Sequence, residues 1–391
     1  MKKILFMVTS MNIGGVEKSL LSLLSIIPRD KFEVTILLLE KKGGFLDSIP
    51  SWVKIEETNW FHEIKPIIMQ SPYITIKGYF KSKKYLKMLH FIISYLIDRK
   101  FDNRYFYYKE ILRKVPNYKK SYDIAVAFQG PTDLIDFYIL NKVDAMKKIS
   151  CIHFDISKHK INEKFYKKLY HRFDKLLVVS KEARNRLIEK FPNLNKKAHV
   201  FYNIVSNELI ETMAKESIDF DVDYKGIKIV TVGRLSREKG QDLAIKVLAK
   251  LHYEGYEVRW YCVGDGKEKQ EYENLINSYD LNGKFILIGA KINPYPYIAN
   301  ADIYVQTSRH EGYCLTLAEA KILNKPIVTT NFTGASEQID NGQTGFVVEF
   351  NEVKLYEKLK HLIENKYERE RVTKENIVFK TTHNSFSNFI S

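Results

Sequence analysis

From end to end, the chain alternates short apolar runs with longer segments whose apolar residues recur every three or four positions. The first kind fits a strand buried on both faces and the second an amphipathic helix, so the pattern predicts parallel sheets built from βα units. In the first half, strands are expected at Ile4 to Thr9, Val34 to Leu39, Lys54 to Glu56, Ile124 to Phe128, Lys148 to Ile152 and Lys175 to Val179, with a helix from about Gly15 to Ile27 after the first. The rhythm restarts after Asn203-Ile204-Val205 and an acidic, irregular stretch from Glu216 to Asp223, which places a linker between about 203 and 225. Beyond it, strands are expected at Ile227 to Val232, Val258 to Val263, Phe285 to Ile288, Ile303 to Gln306, Ile327 to Thr329 and Gly345 to Val348. At 391 residues the chain exceeds one ordinary core. The expectation is therefore an α/β chain of two doubly wound, Rossmann-like domains, 1–205 and 206–378, facing each other across a cleft, with a tail at 379–391 packing back toward the first. Sheets of this kind bind ligands at the carboxyl ends of their strands.

Chemistry-bearing residues gather at those strand ends. After the strand ending at Thr307 comes Arg309-His310-Glu311-Gly312-Tyr313-Cys314-Leu315, and a helix is expected from Gly312 with Leu315, Ala318 and Ile322 on one face. The unpaired amides and positive dipole end of a helix start suit an anion. Glu311 would lie beside it, and Glu319, about two turns on, could accept from a vicinal diol. The competing reading is a pair of carboxylates solvating an amphipathic face. Val232-Gly233-Arg234-Leu235-Ser236-Arg237-Glu238-Lys239-Gly240 leaves another strand, so Arg234 and Lys239 could converge on one diphosphate. Gly14-Gly15 after the first strand lets backbone amides approach a ligand, and Gly264-Asp265-Gly266 is a further strand-to-helix turn. His153 ends a strand and could donate to a sugar hydroxyl or shape charge at a reacting carbon. Asp219, Asp221 and Asp223 imitate a DxD metal motif but precede a strand, so they read as linker charge and no metal is expected.

The formal charge of +15 is uneven. Between Lys77 and Lys120, lysines and arginines interleave with Tyr79, Phe80, Tyr85, Phe91, Tyr95 and Phe101, on two expected helices at about 80 to 97 and 103 to 114. Such a segment fits an anionic membrane surface, a solvated helical face or nucleic acid. No run approaches the roughly 18 uncharged apolar residues of a membrane span, and the first residues start a strand rather than a signal peptide. A cytoplasmic protein, peripheral on the inner membrane face, is the expected arrangement. Cys151, Cys262 and Cys314 are odd in number and far apart, which points to buried thiols.

Together, Gly14-Gly15, His153, Val232-Gly233-Arg234-Leu235 with Lys239-Gly240, Gly264-Asp265-Gly266, and Glu311 and Glu319 with seven residues between them resemble the retaining GT-B glycosyltransferases of family 4 and their EX7E motif. Tyr313 and Cys314 stand where that family often has Phe and Gly, and the basic region matches no common family pattern. The resemblance implies a nucleotide-sugar donor, a UDP- or GDP-hexose, and a lipid-linked or polysaccharide acceptor in bacterial surface glycan synthesis. It implies that Arg234 and Lys239 neutralise the leaving diphosphate, with amides at Gly312, Tyr313, Cys314 and Leu315 adding donors. Glu311 would touch the sugar and Glu319 the ribose, with the base on the loop around Lys291 and no cofactor or metal. Gly14, Gly15 and His153 would meet the sugar from the first domain. The alternatives are a soluble transferase acting on a small metabolite or protein, a same-fold epimerase, and a basic nucleic-acid binder with a degenerate sugar site.

Overall fold

The computed structural model describes residues 1–158, 161–218, 220–221, 223–378 and 386–390. The chain divides into two compact units, the first comprising 1–12, 27–179 and 184–200, the second 13–26, 180–183 and 201–391.

The first unit holds a seven-stranded parallel sheet in the order β3-β2-β1-β4-β5-β6-β7. Its strands are β1 (Lys2–Val8), β2 (Phe32–Leu38), β3 (Lys54–Glu57), β4 (Ser121–Gly130), β5 (Asp144–Ile152), β6 (Lys175–Val178) and β7 (Ala198–Val200). β1 is buried from Ile4 to Val8, as a central strand covered on both faces must be. β7 escapes sequence reading because it is three residues long and its middle residue, His199, is exposed.

Between β3 and β4 lies a helical insertion, Phe61–Met69, Pro72–Lys81, Tyr85–Phe101 and Arg104–Ile111. The two expected helices are thus four. The run through 80 to 97 breaks at Ser82–Lys84, where Lys83 turns left-handed at φ 55° and the Lys84 amide bonds back to the Tyr79 carbonyl at 2.9 Å. An earlier start comes from Pro72, whose fixed φ and missing amide suit a first helical position. The helices close around Phe91, with the Tyr79, Tyr95 and Tyr107 rings at 6.1, 6.3 and 6.1 Å.

The second unit carries a six-stranded parallel sheet, order β10-β9-β8-β11-β12-β13. These strands are β8 (Ile227–Val232), β9 (Val258–Val263), β10 (Phe285–Gly289), β11 (Ile303–Gln306), β12 (Ile327–Thr330) and β13 (Phe346–Val348). Two cores sandwich it with the period of two that a pleated strand dictates. Ile229, Trp260, Cys262, Ile303 and Val305 point to one, and Val230, Tyr261, Val263 and Tyr304 to the other. Because β8 neighbours both β9 and β11, the strand order reverses there, and the loops leaving β8 and β11 lie side by side at the carboxyl edge.

The helix Gly15–Ile26, read from sequence with the first half, groups with the second unit, where Ser19 Oγ donates to Asn203 Oδ1 at 2.6 Å. Of the tail, 379–385 and 391 lie outside the described residues; Phe389 of Phe386–Ile390 packs edge-on against Phe201 at 5.1 Å, also within the second unit. Asp219 is likewise outside the described residues, while Asp221 accepts from Tyr261 and Arg259, which together hold its carboxyl below the usual range. All three cysteines are free and buried.

Candidate functional site

The site in the second unit follows from the switch between β8 and β11. Gly240 closes the loop after β8 in the left-handed region, φ 67°, and a side chain there would stand 2.1 Å from the Thr307 carbonyl oxygen. Glycine is needed for both reasons. The two loops are stitched by Thr307 Oγ1 donating to the Lys239 carbonyl at 3.0 Å and the Arg309 amide donating to the Glu238 carbonyl at 2.7 Å. Arg309 then forks onto Asp242 at 2.8 and 2.6 Å, the bidentate geometry that fixes direction as well as charge.

Between these loops Lys239 donates to Glu311 in a partly buried ion pair. Burial alone pushes a lysine down, but the adjacent Glu311 carboxylate outweighs it and holds the Lys239 ammonium above its ordinary range. The same Glu311 oxygen accepts from Ser308 Oγ at 2.7 Å, Gln306 Nε2 donates to Ser308 Oγ at 2.8 Å, and Tyr304 donates to Gln306 Oε1 at 2.7 Å. This buried chain runs straight up β11 and fixes the carboxylate by its sequence neighbours. Glu311 does not begin a helix: the helix is Leu315–Ile322, and Gly312 to Cys314 form the turn before it. The helix therefore starts three residues later than the helical periodicity suggests. The buried face is Leu317 and Ala320, with Leu315 and Ile322, rather than one centred on Ala318.

Arg234 is exposed on the same loop, 3.6 Å from Glu238, and its carbonyl accepts from Gln241 Nε2 at 2.8 Å. The Gly264-Asp265-Gly266 turn lies directly beneath. The Leu235 amide donates to the Asp265 carbonyl at 3.1 Å, and side chains on Gly264 and Gly266 would stand 1.9 Å from the Gly233 carbonyl oxygen and 2.2 Å from that of Leu235. Here the glycines serve close loop packing.

Glu319 is fully buried on its helix, and Oε1 pairs with Lys18 Nζ at 2.6 Å. Lys18 also lies over the Tyr295 ring, 4.3 Å from its centroid, on the helix that follows the Lys291 loop. Glu319 Oε2 is buried without a hydrogen-bond partner. Gly15 approaches the Leu315 side chain, and Gly14 leaves room for the Glu17 carboxyl: a side chain at Gly14 would sit 2.5 Å from Glu17 Oε2. Burial raises the Glu17 carboxyl, opposed in part by the Arg234 charge.

The second unit thus gathers Gly14, Gly15, Arg234, Lys239, Gly264, Lys291, Glu311, Gly312, Tyr313, Cys314, Leu315 and Glu319. Cys314 is buried beside Thr316, Sγ to Oγ1 3.3 Å, and burial pushes its thiol up to about 12, so it is a packing group rather than a nucleophile. Sequence reading missed Lys18, Glu17, Ser308, and the Arg309 to Asp242 fork; only the first two carried a signal, as charges in the first turn of a glycine-led helix.

His153 belongs to the first unit. Its amide donates to the Gly130 carbonyl at 3.0 Å and its ring lies 5.0 Å from that of Phe128. Burial depresses it to about 4, opposed only by the ring's hydrogen bond to the Phe128 backbone. Nε2 is buried without a partner. With the other nitrogen committed to Phe128, a neutral ring presents Nε2 as an acceptor, where the sequence suggested a donor.

Residues 213–378 match the family described as glycosyl transferases group 1. The chain is 27% identical over 369 residues, 93% of itself and 91% of the relative, to the N-acetylgalactosamine-N,N'-diacetylbacillosaminyl-diphospho-undecaprenol 4-alpha-N-acetylgalactosaminyltransferase of Campylobacter jejuni. It is 32% identical over 147 residues, 36% of itself and 38% of the relative, to the capsular polysaccharide biosynthesis glycosyltransferase CapM of Staphylococcus aureus. In fold it is similar to Alr3699/HepE of Anabaena in complex with UDP and glucose, with a TM-score of 0.71 at 18% identity over 97% of this chain and 95% of that one. With residues 213–378 matching that family's model, the chain is a glycosyltransferase with a two-domain α/β GT-B fold.

Proposed function

We propose that the protein is a retaining, metal-independent transferase that moves a hexose-type sugar from a UDP- or GDP-sugar to a lipid-linked or polysaccharide acceptor in bacterial surface glycan synthesis. The observation that carries this reading is the Lys239 and Glu311 pair, held by two stitched loops at the carboxyl edge of the second sheet. On this reading, Lys239 and Arg234 stabilise charge on the departing diphosphate, and the amides at Gly312 to Leu315 add donors. Each preorganised donor of this kind contributes roughly 3 kcal/mol to a transition state. Glu311 receives sugar hydroxyls, and Glu319 Oε2 accepts from the ribose.

Double displacement needs a carboxylate nucleophile with a second acid beside it. Glu311 is committed to Lys239 and Ser308, and Glu319 to Lys18, so neither is offered as that nucleophile. Retention instead proceeds by front-face attack. The bond from the anomeric carbon to the phosphate oxygen breaks, the bond to the acceptor oxygen forms on the same face, and the acceptor proton passes to the leaving phosphate. The lipid-linked acceptor takes support from the Campylobacter relative, whose name carries a diphospho-undecaprenol.

The test is a thermal-shift screen with UDP-, GDP-, ADP- and dTDP-sugars. A ligand at 100 times its dissociation constant stabilises by about 2.7 kcal/mol. The reading expects one uridine or guanosine donor to stand out and Lys239→Ala to abolish its shift. No shift with any nucleotide sugar, together with unchanged transfer by Lys239→Ala, would overturn it.

A further inference from the structure

The helix Tyr85–Phe101 is built inside out for a surface helix. Its inward face carries Phe91 and Ser94, both buried in the aromatic cluster of the insertion. Its outward face carries Leu86, Leu89, Ile93 and Leu96, which are 77%, 54%, 43% and 56% exposed. Steps of three, four and three place all four on one stripe along the helix. Met69, Tyr73, Ile74 and Phe80, from the two preceding helices, are exposed as well. Scattered exposed leucines are ordinary, but a contiguous apolar stripe marks an interaction surface.

Charge says what covers it. From Ser71 to Phe101 the chain carries Lys77, Lys81, Lys83, Lys84, Lys87, Arg99 and Lys100 against the single acid Asp98. Asp98 faces Arg104 at 3.9 Å. Lys83 and Lys84 stand in the turn that leads into the stripe, and Lys100 continues its line at the far end. A protein partner helix of ordinary composition would leave these cations unanswered. We propose that this face docks on an anionic lipid bilayer, with the leucine stripe and the exposed aromatics entering the headgroup boundary and the lysines meeting lipid phosphates. The proposal goes beyond sugar transfer and stands on a different unit from the donor site, so either can fail alone.

The experiment is co-flotation of the full chain with vesicles of phosphatidylcholine alone or with one third phosphatidylglycerol, at low and high salt. Two variants are compared: Leu86→Ser/Leu89→Ser/Ile93→Ser/Leu96→Ser, and Lys83→Gln/Lys84→Gln/Lys87→Gln. Circular dichroism melting confirms that both fold, which is expected because every altered side chain faces solvent. Binding should require phosphatidylglycerol and fall with salt. It should drop at least tenfold in the serine variant and about fivefold per cation removed in the glutamine variant. Transfer to a water-soluble acceptor analogue should be unchanged in both. Equal flotation with the two vesicle types, or no loss in either variant, would overturn the proposal. So would a lipid-free dimer in sedimentation velocity that the serine variant abolishes, since a second copy of the chain would then be the occupant.

Discussion

The two units set the charge of their buried side chains in different ways. In the second, charge answers charge: Lys239 with Glu311, Arg309 with Asp242, and Lys18 with Glu319 all cluster around the switch between β8 and β11. In the first, His153 is a neutral, buried imidazole, and the helical insertion carries an exposed run of lysines. Ion pairs preorganise a site for a polyanion, because the lysine is charged and placed before the ligand arrives. A desolvated histidine offers one lone pair and little field, which suits a hydroxyl rather than a phosphate. The contrast teaches that ion pairing and desolvation fix the protonation state of a buried side chain by different physics.

The largest way to break this comparison is Lys239→Ala. Transfer is expected to fall by about 10²- to 10³-fold, as on losing a preorganised donor to developing charge. Folding should weaken as well, by about 3 kcal/mol, because the partly buried Glu311 carboxylate loses its cation. The double variant Lys239→Met/Glu311→Gln separates the two effects, as it removes both charges together. Urea unfolding should then recover most of the stability while a donor-coupled transfer assay does not recover. Recovery of transfer would mean that the pair serves the fold alone.

His153→Phe sharpens the other side. The native ring is held near 4, below the ordinary histidine value of about 6.5 in the unfolded chain. As pH falls, the unfolded state therefore takes up a proton first. The stability tied to the neutral ring is complete above about 6.5 and is lost as pH drops toward the folded value. Between about pH 7 and about pH 5 the native protein should lose about 2 kcal/mol more than His153→Phe, whose ring can keep the contact with Phe128. Denaturant titrations at the two pH values measure this directly. Equal losses would place a charged histidine in the first unit and erase the contrast.

How much of this was legible follows the range of each interaction. β8, β9 and β11 coincide with the runs read from sequence, because strands covered on both faces write continuous apolar stretches. Arg234, Lys239 and Glu311 were legible because each sits within a loop leaving such a strand. The start of the helix at Leu315 was not, since Gly312 to Cys314 continue a helical spacing while the backbone turns. The break at Lys83 was hidden for a similar reason: a left-handed lysine has no residue signature of the kind glycine gives. Lys18 was invisible in its role, because its partner lies 301 positions away and only folding brings the two together.

Lys18 provides the smallest and most selective test. Its ammonium holds Glu319 Oε1 at 2.6 Å while its stem crosses the Tyr295 ring, leaving Oε2 buried and unanswered. A ribose hydroxyl donating to Oε2 would complete the carboxylate, and Lys18 would act only by fixing its angle and charge. Lys18→Met keeps an apolar chain over the ring and removes the cation. Donor KM should then rise about fivefold to tenfold, about 1 to 1.4 kcal/mol, with kcat unchanged, because a group that orients the ribose binds ground and transition states alike. Lys18→Arg should restore most of the affinity. Glu319→Gln should leave nothing further for Lys18→Met to remove, which a double-mutant cycle reads as coupling close to the whole single effect. If Lys18→Met instead lowers kcat and kcat/KM equally, the lysine acts on the departing charge. The ion-paired field of the second unit then reaches past Lys239 to the first turn of the helix Gly15–Ile26.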